Sequence, residues 1–346
     1  MQSKLVSILP VDVSSSPHVL VTNHPYLTVF FLSLGALSFA KFLAKTLGVL
    51  AQTFVLPGKS LKKYGAGKGA WAVVTGASEG IGREFALQLA AKGFNVLVSA
   101  RNASALASLT AEIESKSKVQ TKTLVFDYST QDEAQWARFR SEVEGLDVGV
   151  LINNVGRSHA YPVDFVDTPE PEMDSILKIN VNSVAQVSRI VVPGMVQRRR
   201  GLVISIGSFS GISVVSPMLA TYAGSKSFLA SFSAALAEEV KGKGVDVECL
   251  NTYFVVSNLS KIRKPSLMIP TPKAYVRSVL AKVGLPCGAL FTGRPHVVTP
   301  YWSHALLDWL MNVVGWKAFF ASYTHNLHKS INKRALKKLA REAKQQ

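Results

Sequence analysis

The hydrophobic pattern of the chain falls into three regimes. From Val13 to Ala40 there is no Asp, Glu, Lys or Arg, and the centre of that run, LTVFFLSLGALSFA (27–40), is apolar without a period. A membrane span needs about 20 mostly apolar residues. Residues 25–47 meet that length, with Lys41 and Lys45 near one end, where their ammonium groups can snorkel to the interface. A buried or interfacial helix and a cleaved signal peptide are the competing readings. A thin basic leader and a late apolar start count against the signal peptide.

From residue 70 the pattern alternates between two periods. AWAVVTG is a β-branched run that stops at Gly76 and reads as a buried strand. GIGREFALQLAAKG carries Phe85, Leu87, Leu89 and Ala90 at helical positions and closes on Gly93. FNVLVSA is a strand again. KTLVFDY, DVGVLINNVG, GLVISIGS and VDVECLNTYFV predict further strands, each separated from the next by a helical stretch, among them MDSILKINVNSVAQVSRIVVPGMVQR as one long helix. Strands alternating with helices predict an α/β fold, a doubly wound, Rossmann-like parallel sheet.

The third regime begins near residue 301. HALLDWLMNVVGWKAFFASY is apolar and aromatic but broken by Asp308 and Lys317, and THNLHKSINKRALKKLAREAKQQ follows with seven Lys or Arg and one Glu. This predicts an interfacial or re-entrant helix and then a basic amphipathic helix, both membrane-associated. The expected organisation is therefore a short tail (1–24), a transmembrane helix (25–47), a basic linker (48–69), a central domain (70–300) with a substrate segment at 258–300, and the C-terminal helices (301–346). Between Lys41 and Ser78 stand six lysines and no acid. The positive-inside rule puts everything after the span in the cytosol and the tail in the lumen. The linker is expected to hug the membrane surface.

Composition narrows the partners. The 346 residues are 48% hydrophobic and carry a net charge of +17, which suits a phosphate-bearing ligand, nucleic acid or an anionic membrane. No aromatic-basic motif or binding module supports nucleic acid, so none is expected. Cys249 and Cys287 offer neither a disulfide framework nor a metal cluster, and the histidine spacings contain no ligand pattern.

Two short stretches carry the chemistry. Gly76, Gly80 and Gly82, in the pattern TGxxxGxG between a strand and a helix, let backbone approach a pyrophosphate at a helix N-terminus. After the second strand, where NAD binders place an acid for the ribose 2′-hydroxyl, the chain has Ser99-Ala100-Arg101. Arg101 is suited to the 2′-phosphate, which points to NADPH, with Arg83 as a second contact. In TYAGSK, Tyr222 and Lys226 stand four apart and share a helix face. A surface Tyr beside a solvated Lys is the plain reading. The chemical one is a phenol whose pKa a neighbouring cation draws toward working pH.

With TGASEGIG, NNVG (153–156), KINVNS, SIGSFSG and YAGSK in this order, the chain resembles the short-chain dehydrogenase/reductase family over roughly Gly69 to Ser260. Within it the apolar N-terminus, the YFVVSNLS segment and the apolar-basic C-terminus are similar to the membrane-bound 3-oxoacyl-CoA reductase and 17β-hydroxysteroid dehydrogenase branch. The resemblance implies Tyr222 as general acid, Lys226 lowering its pKa and bonding the nicotinamide ribose, Ser208 polarising the carbonyl and Asn180 holding a relay water. Ser210 is the alternative to Ser208. Gly76, Ser78, Gly80 and Ile81 are implied in the phosphate turn, Asp127 at the adenine and Asn153 by its ribose. The Pro-Gly pair usual after the sixth strand is replaced by TYFVVS, leaving Val255 and Ser257 as expected nicotinamide contacts.

Cys249 to Leu307 contain no acid and seven Lys or Arg: 261, 263, 264, 273, 277, 282 and 294. Such a patch suits the phosphates of an acyl-CoA, or equally anionic lipid headgroups. The resemblance then implies NADPH-dependent reduction of a long or very-long-chain 3-oxoacyl-CoA in fatty-acid elongation at the endoplasmic reticulum, with other elongase subunits as partners. A steroid or other lipid carbonyl reductase and a non-catalytic scaffold are the alternatives.

Overall fold

A computed structural model describes residues 24–344, so that all but the last residue of the expected N-terminal tail lies outside the described residues. Helix α1 (Pro25–Leu50) runs on through a π turn (Ala51–Val55), past the Leu47 end expected for the span. The continuation AQTFV contains no breaker, and the helix stops where Pro57 forces Leu56 into extended backbone. Over its most apolar stretch the mean hydropathy is 1.8 and none of it is buried, so by length and composition this helix can cross a membrane.

The rest of the chain from Val49 is a separate compact unit. Its seven strands are β1 (Trp71–Thr75), β2 (Asn95–Ala100), β3 (Thr121–Val125), β4 (Val148–Asn153), β5 (Gly201–Ile206), β6 (Val245–Leu250) and the short β7 (Val297–Val298). They form one parallel sheet in the order β3-β2-β1-β4-β5-β6-β7, with Val73 opposite Leu97 on one side and Leu151 on the other. The sequence reversal falls between β1 and β4, where doubly wound sheets bind their ligands.

Helices cover both faces, which is why the central strands read as unbroken apolar runs. One face holds α2 (Gly80–Ala91), α3 (Ala103–Lys116) and α8 (Pro272–Ala281), burying Phe85, Leu89, Leu106 and Tyr275. The other holds α4 (Glu133–Val143) and α6 (Ser183–Gln197), burying Trp136, Phe139, Val187 and Met195, with α7 (Ala220–Glu239) beside them. The helix expected from Met173 is in fact α5 (Glu170–Leu177), a π turn (Lys178–Asn182) and α6. A π turn inserts a residue into the ladder, a device frequent at functional sites, and this one carries Asn180.

Two stretches expected at the membrane also have protein partners. In the linker, Lys59 and Lys63 bond Asp246 at 2.7 and 2.6 Å, Tyr64 donates to the same carboxylate at 2.6 Å, and Lys59 N donates to Val283 O at 2.7 Å. Its basic residues thus dock it on the start of β6. Helix α9 (Trp302–Val314) is not broken by Asp308. That residue is 0% exposed, and both its carboxylate oxygens accept from Arg294 Nη2, at 2.8 and 2.9 Å. The final helix, α10 (Lys317–Ala343), is pinned by His328 to Pro217 O at 2.6 Å and by Asn332 to Pro162 O at 2.8 Å.

Candidate active site

The C-terminal ends of the strands open into one cavity of about 950 Å³. The first wall is the turn after β1. Gly76 and Gly80 have φ of +65° and +57°, accessible to glycine at little cost. A Cβ on Gly82 would stand 2.3 Å from Gly76 O, so only glycine lets α2 close on this turn. Gly76, Ser78, Gly80 and Ile81 all line the cavity, and Glu79, the residue before α2, makes no side-chain bond to the helix N-terminus. The turn therefore presents backbone N–H groups to an anion, as a pyrophosphate requires.

Arg101, exposed at the end of β2, and Asp127, after β3, form the next wall. Burial works against ionisation of Asp127, but hydrogen bonds from Ser129 N and Oγ (2.9 and 2.8 Å) and the charge of Arg101 hold its carboxyl below the ordinary range. It is thus an acceptor at neutral pH. Arg83 forms its ion pair with Glu112 and does not line the cavity, whereas Arg101 does. Asn153 is 2% exposed and donates to Ser188 Oγ at 3.1 Å, away from the cavity. Its neighbour Asn154 lines the cavity instead, with Nδ2 bridging Thr75 O and Gly76 O at 2.9 Å each. The NNVG motif contained both, and only the strand's register tells which faces the ligand.

Ser208 follows β5, and Tyr222 and Lys226 lie in the first turns of α7; all three line the cavity. Protein packed around the Tyr222 hydroxyl raises its pKa above 10, and a hydrogen bond with Ser208 pulls the other way. Lys226 is 4% exposed, donates to Ile206 O at 2.7 Å, and has Nζ 5.7 Å from the Tyr222 ring centroid. Burial lowers its pKa to about 8. Burial dominates the Tyr222 phenol, which is therefore protonated at neutral pH.

Ser208 Oγ also accepts from Ser210 N at 3.2 Å, and it is Ser208 that bonds Tyr222. Ser210 lines the cavity, but its Oγ is enclosed and has no partner among the described residues. Asn180 is 0% exposed: Nδ2 donates to Arg157 O and Ser225 Oγ (2.9 Å each) and Oδ1 accepts from Arg157 N at 2.7 Å. These bonds tie the loop after β4 to α7 beside Lys226, a bracing that sequence reasoning did not anticipate for Asn180. Val255 and Ser257 line the cavity, and Tyr253, Phe254, Leu259 and Ser260 extend that wall. Tyr323, Thr324, Leu327 and His328 of α10 also line it, residues that the amphipathic pattern of that helix did not single out.

The short chain dehydrogenase family matches residues 70–266, and the chain belongs to it, among oxidoreductases that use a nicotinamide cofactor. Very-long-chain 3-oxoacyl-CoA reductase from Laccaria bicolor is 57% identical over 327 residues, covering 94% of this chain and 96% of that protein. The protein of that name from Mycosarcoma maydis is 52% identical, covering 91% of each. A solved structure described in terms of 7β-hydroxysteroid dehydrogenase stereoselectivity superposes with TM-score 0.65 at 26% identity, covering 77% of this chain and 100% of that one. A putative gluconate 5-dehydrogenase from Beutenbergia cavernae with bound NADP has TM-score 0.57 at 25% identity, covering 68% and 97%.

Proposed function

We propose that the chain is an NADPH-dependent reductase of long and very-long-chain 3-oxoacyl-CoA, anchored in the endoplasmic reticulum membrane with its catalytic unit cytosolic and working beside other fatty-acid elongase subunits. The observation that carries this reading is the Ser208–Tyr222–Lys226 group on the wall of a cavity that also holds the glycine turn, in a chain 57% identical to a 3-oxoacyl-CoA reductase. The NADP-bound neighbour and Arg101 at the end of β2 favour NADPH.

The residues fit the cofactor. The Gly76–Gly82 turn suits its pyrophosphate, Arg101 its 2′-phosphate, Asp127 the adenine amino group, and Lys226 the nicotinamide ribose. When bound, the nicotinamide supplies a hydride to C3 of the substrate. Ser208 polarises the C3 carbonyl. Tyr222 Oη gives its proton to the carbonyl oxygen, yielding 3-hydroxyacyl-CoA, and the Lys226 ammonium stabilises the phenolate left behind. Asn180 keeps the loop at Arg157 and the start of α7 in register.

The basic patch expected for CoA phosphates is smaller than its sequence. Arg294 is committed to Asp308, and Lys282 donates to Leu56 O at 2.6 Å. Lys261 likewise donates to Ala160 O, which leaves Arg263 and Lys264 exposed on the loop whose Ser257, Leu259 and Ser260 line the cavity, and supports this lip as the seat of the phosphates. Microsomes carrying the protein should oxidise NADPH with a long 3-oxoacyl-CoA and release the 3-hydroxy product, with NADH a poor substitute. Turnover of a 17-ketosteroid without turnover of the acyl-CoA would overturn the substrate reading.

A further inference from the structure

Beneath the catalytic serine lies a buried ionic network that the reaction scheme leaves unused. Ser208 opens a single helical turn, Phe209–Ile212, that is not regular: Ser210 has ψ of 109° and Gly211 has φ of +92°. A Cβ on Gly211 would stand 2.1 Å from Ala223 O, so this turn is wedged against the residue after Tyr222. The turn closes on Ser213, whose N donates to Phe209 O at 2.9 Å.

The Ser213 hydroxyl is fully engaged. It accepts from Arg294 Nη1 at 2.7 Å and from Asn251 Nδ2 at 2.8 Å, and donates to Asp308 Oδ1 at 3.0 Å. Asp308 in turn accepts from Arg294 Nη2 on both its oxygens, from Asn251 Nδ2 at 3.0 Å and from Thr299 Oγ1 at 2.7 Å. One hydroxyl thus joins the serine turn to the end of β6, the loop before β7 and α9. A densely bonded network in a low-dielectric interior is stiff, and its members hold one another's geometry. A buried ion pair is weak evidence for stability as such; its place under Ser208 calls for a different role.

We propose that Arg294 and Asp308, acting through the Ser213 hydroxyl, are positioning residues that fix the Ser208 turn against Tyr222. This rests on the reading that Ser208 and Tyr222 reduce a carbonyl. The full-length protein and its Ser213→Ala and Ser213→Thr variants test it by two readouts. Amide hydrogen exchange over 207–214 should quicken roughly tenfold in Ser213→Ala, about what one hydrogen bond is worth, with the sheet unchanged and Ser213→Thr restored to wild type. NADPH-dependent turnover should fall by a similar factor in kcat, with KM for NADPH and acyl-CoA unmoved, and Ser213→Thr should recover it. Unchanged exchange in the turn, or faster exchange with kcat intact, overturns the proposal. A wild type inactive on 3-oxoacyl-CoA would refute the substrate reading alone, because exchange still reports whether the network holds the turn.

Discussion

Two cations, one half-buried and one buried, stand at opposite ends of the same design. Arg294 is matched by the Asp308 carboxylate and spends its fork on that acid and Ser213. Lys226 is more deeply buried, yet it donates to a backbone carbonyl, Ile206 O, rather than to an acid. The matched charge is structural. The unmatched one is held near titration, with a pKa of about 8, and faces the Tyr222 ring. A fold tolerates a poorly compensated buried ammonium at a cost, and the place where it does so is a candidate for chemistry.

Removing each charge should therefore move stability in opposite directions. Asp308→Asn takes the counter-charge from the half-buried Arg294 and should lower the unfolding free energy, by up to about 3 kcal/mol, read by denaturant unfolding. Lys226→Met should leave the fold as stable or more so, while carbonyl reduction falls at least about a hundredfold. Equal destabilisation by both would erase the distinction.

The pH dependence sharpens it. The folded-state pKa of Lys226 lies below its ordinary 10.5, so the fold carries the full penalty below about pH 8 and sheds it as pH rises toward 10.5. Activity should run the other way. Above about pH 8 Lys226 loses the charge that supports the Tyr222 phenolate, and kcat for reduction should decline. A pH profile flat from 7 to 9.5 would contradict this.

The smallest effect concerns a buried acid. Glu248 on β6 accepts from Gly284 N, and burial raises its pKa to about 7. Its folded-state pKa exceeds its unfolded value, so it lowers stability progressively as pH rises from about 4.5 to 7. Glu248→Gln keeps the acceptor and removes the charge. The stability gap between variant and wild type should open over that window and level off above it; a gap constant with pH would show that Glu248 is not the group responsible.

What could be read in advance divides along a physical line. Local chemistry was legible. Gly76, Gly80 and Gly82 lie within one turn, and Tyr222 and Lys226 within one helical turn, so residue type and spacing specify them. The alternation of periods gave the sheet. Long-range pairing was not legible: Asp308 read as a flaw in a membrane helix and Arg294 as a surface charge, because the contact that joins them depends on α9 folding back under β6. The pairing of Lys59 and Lys63 was hidden for the same reason, their partner Asp246 lying more than 180 residues away. Asn153 against Asn154 turned on register at a strand end.

The central claim is that Tyr222 delivers the proton to a 3-oxoacyl carbonyl. The most direct measurement is NADPH oxidation with a long-chain 3-oxoacyl-CoA by wild type and by Tyr222→Phe, a change that keeps the ring and removes the proton. The account predicts a loss of about 10²–10⁴ in kcat with NADPH affinity and thermal stability near wild type. A Tyr222→Phe protein that reduces the substrate at the wild-type rate would contradict it.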